Sequence, residues 1–396
     1  MKLINAHLID GTGESPIENV ELIFDEEMKE IGQAADMAQI SDPDTLDVGG
    51  RTVIPGLINA HIHITLDSTV PDTFKALSAE PLPITAIHAA QRARRMLRAG
   101  ITSARDLGGR EYIDLAIRDL IRKGEIPGPR LLCAGKLITM TGGHGWMIGR
   151  ECDGADEVRK GTREQLKAGA DLIKLMATGG VLTPGVEPGS PQLTEEELHA
   201  GIVEAHKANR RTSTHAQGLE GIKAAIRAGI DTVEHGIFLD DEAVGMMVEN
   251  EVVFVPTLAA VFQILQAGSE LGIPQYVIDK VNRINEAHQA SFQLAWKAGV
   301  TIAAGNDGGT PFNPHEDLTT EIRLMIEVGV PVLEAIQAGT LNSAKALGLE
   351  DEIGTIERGK IADLVVLDGN PMTDPIALSQ VWCVIQGGKV VYQANV

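Results

Sequence analysis

Cysteine is scarce in this 396-residue sequence: Cys133, Cys152 and Cys383 are odd in number, widely spaced and never part of a CxxC pair. Such a set offers neither a disulfide framework nor a thiolate zinc site, and it suits a reducing, cytoplasmic setting. Long apolar runs are missing too. Polar or glycine residues interrupt every hydrophobic stretch before the ~18 residues a membrane span needs, and the opening MKLINAHLIDGTG lacks a continuous export core. Neither a membrane partner nor secretion is expected. No Lys/Arg-rich block occurs, and 34 basic against 55 acidic residues leave a formal charge of −21, which argues against nucleic acid as a partner. The acidic balance itself reads as solubility. A Gly-rich nucleotide loop after the first apolar strand is also absent.

What is present is regular punctuation. The 43 glycines and 18 prolines recur singly, and a short phrase repeats as RAGIT at 98–102, KAGAD at 167–171, RAGID at 227–231 and KAGVT at 297–301. A cation in the last helical turn, glycine in the left-handed position and β-branched residues beyond it mark a helix handing over to a strand. Asn209 and Asn250 are expected to play the glycine's part before RTSTHA and EVVFVPT. These boundaries predict strands at 56–64, 102–107, 130–135, 171–177, 211–216, 232–236, 252–257 and 301–307. Eight near-continuous apolar strands alternating with helices predict an α/β fold, a parallel (β/α)8 TIM barrel over residues 55–354. Residues 1–54 and 355–396 carry hairpin-like runs such as VELIF and ADLVVLDG, and are expected to join as one small discontinuous β-sandwich domain.

The candidate site residues all fall where strands end, the face on which barrels assemble active sites. His61 and His63 stand two apart, so strand alternation points both imidazoles to one side, as a metal-ligand pair or by coincidence. His215 and His235 end the fifth and sixth predicted strands. Lys174 places an ammonium inside the apolar run DLIKLMA, where burial favours a neutral amine able to react with CO2. The alternative is a lysine paired with Asp171 or Asp106. Asp307 closes the eighth predicted strand, as a metal ligand and proton acceptor or as a former of the Asn-Asp-Gly-Gly turn. His7, His88, His199, His206 and His288 fit ordinary structural roles. Arg105 and Arg150 stand either as anion contacts or as structural cations.

In strand order, VIPGLINAHIH, GITSARDLGG, GADLIKLMATGG, THAQG, VEHG and AGNDGG, with GTIERGKIADLVVLDGNP in the tail, resemble the amidohydrolase superfamily over essentially the whole chain. The stretches from GGHG to LIK and from HAQG to VEHG resemble its prolidase-like and imidazolonepropionase-like branch. The resemblance implies two divalent ions, usually zinc: His61, His63 and Asp307 on one, His215 and His235 on the other, and a carbamate on Lys174 bridging them. It further implies hydrolysis of a C–N amide bond in a small molecule, of dipeptide or N-acyl amino acid type, with Asp307 as general base and acid. It implies a homo-oligomer as well. His144 matches a substrate-contacting position, though a structural histidine fits that glycine-rich setting equally. Gln217 stands where carboxypeptidase-type members carry a tyrosine, and this weakens an inference of C-terminal amino-acid release. A cyclic-amide or lactone hydrolase, or a decarboxylase or lyase on the same scaffold, are the competing readings. The loop TGGVLTPGVEPGSPQ at 178–192 is expected to cover the site.

Overall fold

The computed structural model describes residues 1–33 and 44–394. Part of the expected terminal domain, residues 34–43, therefore lies outside the described residues. The fold is mixed α/β, built on parallel strands. Seven of the predicted strands form: Leu57–Ile62, Ile101–Asp106, Arg130–Cys133, Leu172–Met176, Arg211–Ala216, Thr232–His235 and Val253–Val255. The first three make one parallel sheet. The other four make a second, extended by two short parallel strands not foreseen, Leu137–Thr139 and Gly149–Glu151. Asp171 N donates to Cys133 O (2.9 Å) across the seam between the two sheets.

The repeated phrase does what its chemistry predicts. Gly100, Gly169, Gly229 and Gly299 all take positive φ at helix ends, as does Asn209. Asn250 does not. It keeps φ −103 and its side chain caps Met246 O, while Glu251 takes the left-handed turn one residue later. An amide that can satisfy a helix carbonyl itself removes the need for it to turn.

The eighth predicted strand, 301–307, is not a regular strand. It touches both neighbours: Phe254 N reaches Thr301 O (2.9 Å), Ala60 N reaches Ala304 O (3.0 Å) and His63 N reaches Gly308 O (2.8 Å). Side chains add further bonds. Asn59 Nδ2 donates to Asn306 Oδ1 (2.8 Å), and Asn306 Nδ2 donates to Pro314 O (2.8 Å). Gly305 lies so close to the first strand that a Cβ there would sit 2.8 Å from His61. The segment is thus pinned by specific contacts where its neighbours are held by a ladder.

Both chain ends meet in one sheet, in the order Lys389–Gln393, Val381–Gln386, Leu364–Leu367, Thr52–Pro55, Lys2–Leu8, Ile17–Phe24 and Met28–Gln33, with Thr45–Asp47 also paired to Lys2–Leu8. Hydrogen bonding therefore runs through a single branched sheet, where a sandwich implies two. Leu3, Leu22, Phe24, Val366 and Ile385 form its buried core. Asp363 ties it to the parallel strands: its carboxylate accepts from Arg130 Nη1 (2.8 Å) and from Gly387 N (2.8 Å). Asp363→Ala removes both bonds and leaves Arg130 without its carboxylate, and is expected to lower unfolding free energy by about 2–3 kcal/mol in urea titrations. An unchanged midpoint would show that this junction carries no stability.

Candidate metal centre

His61, His63, His144, Lys174, His215, Gln217, His235 and Asp307 all line one cavity at the carboxyl ends of the parallel strands. The rings form a chain: centroids are 5.3 Å apart for His61 and His63, 5.2 Å for His61 and His235, 4.5 Å for His235 and His215, and 4.3 Å for His215 and His144. Asp307 Oδ1 lies 3.3 Å from His61 Nε2 and 3.6 Å from His63 Nε2. Within this trio the ligand atoms are all within 4.8 Å of one another.

Hydrogen bonds around the site decide which ring nitrogens face inward. His61 Nδ1 is held by Glu234 Oε2 (2.8 Å) and His63 Nδ1 by Gly108 O (2.9 Å). His235 Nδ1 meets Thr257 Oγ1 (2.7 Å), whose own proton goes to Pro256 O (2.6 Å), so the imidazole donates. His215 donates through Nε2 to Gly179 O (3.2 Å). Each of these four rings thereby spends its proton on the protein and keeps a lone pair on its other nitrogen. Beside them, the Lys174 Nζ is buried with no hydrogen-bond partner. Lone pairs, a carboxylate and an orphaned amine around one space are a donor set that fits a divalent cation.

Burial sets the charge states. It pushes His61, His215 and His235 well below the usual histidine range, and His63 to about 4. Desolvation brings Lys174 down to about 8 against the opposing pull of Glu234. It raises Asp307 to about 7, with Lys174 pulling the other way. Near neutral pH the histidines are ligands in waiting, not cations.

Of the alternatives open for Lys174, pairing with a nearby carboxylate does not occur. Asp171 is taken by Arg118 (2.6 Å) and Arg122 (3.0 Å), and Asp106 accepts from the backbone of Ile64 (2.7 Å) and Gly108 (3.0 Å). Asp307 sits in a turn, its carbonyl accepting from Thr310 N (3.2 Å), and its carboxylate faces His61 and His63. Arg105 and Arg150 are structural, paired with Glu234 (2.7 Å) and with Glu164 (2.9 Å). His144 donates to or accepts from Thr183 Oγ1 (2.8 Å) on the 178–192 loop, and a Cβ on Gly180 would lie 2.4 Å from its Nε2. That loop supplies Val181 and Leu182 to the cavity wall.

Several residues escaped sequence reasoning. Glu234 accepts on Oε1 from Arg105 (2.7 Å), Ser213 (2.8 Å) and Thr232 (2.7 Å), and on Oε2 from His61. A fully buried acid inside VEHG is the same kind of anomaly as Lys174, and that was its available signal. Thr257, His288 and His315 had none: His288 lines the cavity, bonded to Pro256 O (2.7 Å), and His315 bonds His63 O (2.8 Å).

Imidazoles and a carboxylate gathered at the carboxyl ends of parallel strands are an arrangement that metal-dependent hydrolases use to hold an ion. The amidohydrolase family model matches residues 52–391, and the chain belongs to that family, in its prolidase-like branch. It is 31% identical to ochratoxinase of Aspergillus niger over 97% of this chain and 85% of that protein. Among solved structures it resembles a Xaa-Pro dipeptidase with bound methionine, at 33% identity, TM-score 0.89 and full coverage of both chains. A prolidase complexed with N-methylphosphonate-L-proline matches at 30% identity and TM-score 0.92, over 99% of each chain. The family is typically metal-dependent. No helix among the described residues is long and apolar enough to cross a membrane.

Glu234→Gln keeps the shape but weakens the hold on the His61 proton, and is expected to lower affinity for a divalent ion about 10–100-fold in chelator competition. Protonation gives a second test. Asp307 is an anion above about 7 and neutral below it, whereas His63 stays neutral down to about 4. Ion affinity should therefore fall about tenfold per pH unit below pH 7, measured by titration at pH 8, 7 and 6. A flat profile would remove Asp307 from the ligand set.

Proposed function

We propose that the protein hydrolyses the amide bond of a small molecule, of dipeptide or N-acyl amino acid type, at a binuclear metal centre inside a closed (β/α)8 barrel. The observation that carries this reading is the orphaned Lys174 amine, buried in the cavity that four imidazoles also line, with His61, His63 and Asp307 close enough together to share an ion. The names of the relatives point the same way, since a dipeptidase and a prolidase both cleave C–N bonds. Contacts of residues 301–308 with strands on both sides support closure of the barrel.

In this reading His61, His63 and Asp307 would hold one ion and His215 and His235 the second, with Lys174 as a further ligand. A neutral Lys174 that added to CO2 and lost a proton would supply carbamate oxygens for that role. When bound, the ions supply Lewis acidity for the scissile carbonyl and for water. The chain's own residues do the rest. Asp307, raised to about 7, takes the proton from the attacking water and returns it to the leaving amine. His144 lies beside His215, where an imidazole N–H donates to the developing oxyanion. Gln217, buried and lining the same cavity, offers its amide to the substrate.

Protein loaded with zinc, manganese or cobalt should cleave members of a dipeptide and N-acyl amino acid library, and a chelator should abolish the activity. Asp307→Asn is expected to lower kcat about 10²–10⁴-fold, through loss of both the proton acceptor and a ligand. Metal-loaded protein silent on every amide would overturn the proposal.

A further inference from the structure

The cavity is open to solvent, with about 730 Å³ of free space counted out through its mouth, and its lining is of two kinds. One side is the cluster of histidines, Lys174 and Asp307. The other is an apolar wall drawn from two buried clusters, Phe74, Leu137 and Ile148 in one and Val261, Ile264 and Ile284 in the other, with Leu182 packed against both. These side chains are well buried, so the wall is part of the packed core and its shape is set before any ligand arrives. Among the described lining residues there is no arginine, no lysine besides Lys174 and no acid besides Asp307. Lys280, next in sequence to the lining residue Val281, is committed to the carbonyls of Val181 (3.3 Å) and Thr183 (2.9 Å).

A polar side chain with an unpaired atom lines the same cavity. Gln217 is nine-tenths buried, and its Oε1 has no partner in the protein. An unpaired buried amide facing a cavity is costly unless a ligand completes it. The apolar surface also continues outward: Phe74 and Leu182 belong both to this cavity and to the shallower depression at its mouth, where Trp146 is 47% exposed.

We propose that the substrate carries a neutral, bulky apolar group, of phenylalanine or leucine size, seated against the Phe74–Ile148–Val261–Ile264–Ile284 wall, and that the Gln217 amide hydrogen-bonds the polar link joining that group to the scissile bond. The inference rests on the amide-hydrolase reading and names its substrate class. A charged side chain placed there meets no counter-ion and loses its water, while a missing methylene in such a pocket costs about tenfold or more in kcat/KM.

The test uses the metal-loaded enzyme and two dipeptide series, one varying the residue on each side of the scissile amide through Phe, Leu, Gly, Asp and Lys. On one side, Phe or Leu should exceed Asp and Lys by about 100-fold or more in kcat/KM, and Gly by about tenfold or more. Equal or higher activity with Asp, Lys or Gly on both sides overturns the apolar seat. Gln217→Leu should raise KM about tenfold with a smaller effect on kcat, and leave Tm unchanged or higher because an unpaired polar atom is lost. An unchanged KM overturns the role of Gln217. Trp146→Ala, exposed and safe for folding, should raise KM for Phe substrates and not for Gly ones. Thermal shifts with free L-phenylalanine, L-leucine, L-aspartate and L-lysine separate the two readings. Stabilisation by the apolar pair with no amide cleaved sinks the hydrolase reading and leaves the seat. Cleavage without apolar preference sinks the seat alone, and absence of both sinks both.

Discussion

A carboxylate with no access to water and four donors pointed at it organises the site. Glu234 accepts from Arg105, Ser213, Thr232 and His61, each about hydrogen-bond length away. Burying an ion is tolerable only when its lone pairs are satisfied, and this one is satisfied by residues from four strands at once. Arg105 in turn reaches Ala60 O (2.7 Å), the residue before His61. Neighbouring strands are thus locked in register around one charge, and His61 is left with a defined tautomer. The histidine cluster inherits its order from this hub.

The same region holds backbone conformations that unconstrained chains avoid. His235, Thr257 and Asp307 all have positive φ, and none is glycine. Such residues cost of order 1–3 kcal/mol each and persist only where the surroundings over-determine them. Here the surroundings are visible: Thr257 is bonded to His235, Asn313 Nδ2 holds Asp307 O (3.1 Å), and Glu321 caps the turn after Thr257 through Leu258 N (2.9 Å) and Ala259 N (2.6 Å). The strain turns strand ends inward, so that side chains which would alternate away from the centre meet within it. Rigidity of this kind suits chemistry that needs groups placed before the substrate arrives.

Charge and shape divide the cavity between two tasks. Imidazoles kept neutral by burial offer lone pairs to a cation, and burial lowers the Lys174 amine to about 8, which brings its neutral form within reach. The facing wall offers dispersion and exclusion of water. Between them sits an amide with nothing to bond.

The seven regular strands and their helix boundaries were legible in the sequence because they are local matters: glycine tolerates positive φ, β-branched residues favour extension, and Lys174 inside DLIKLMA is an anomaly visible within a few residues. The placement of the six proposed ligands around one cavity was legible for a related reason, since strand alternation sets the face a side chain occupies, although Asp307 stands on a segment that forms no regular strand. Asn250 and the 301–307 segment were misread because their outcome depends on partners far along the chain or on a side chain's own hydrogen bond, as Asn59 with Asn306 shows. Glu234's partnership with His61, the inward lone pairs, the commitment of Asp171 and Asp106 to other groups, and the apolar wall assembled from distant segments were decided by tertiary structure alone. Patterns of period two or 3.6 report which face a residue occupies. They carry no information on which atom from another strand will stand 2.8 Å away.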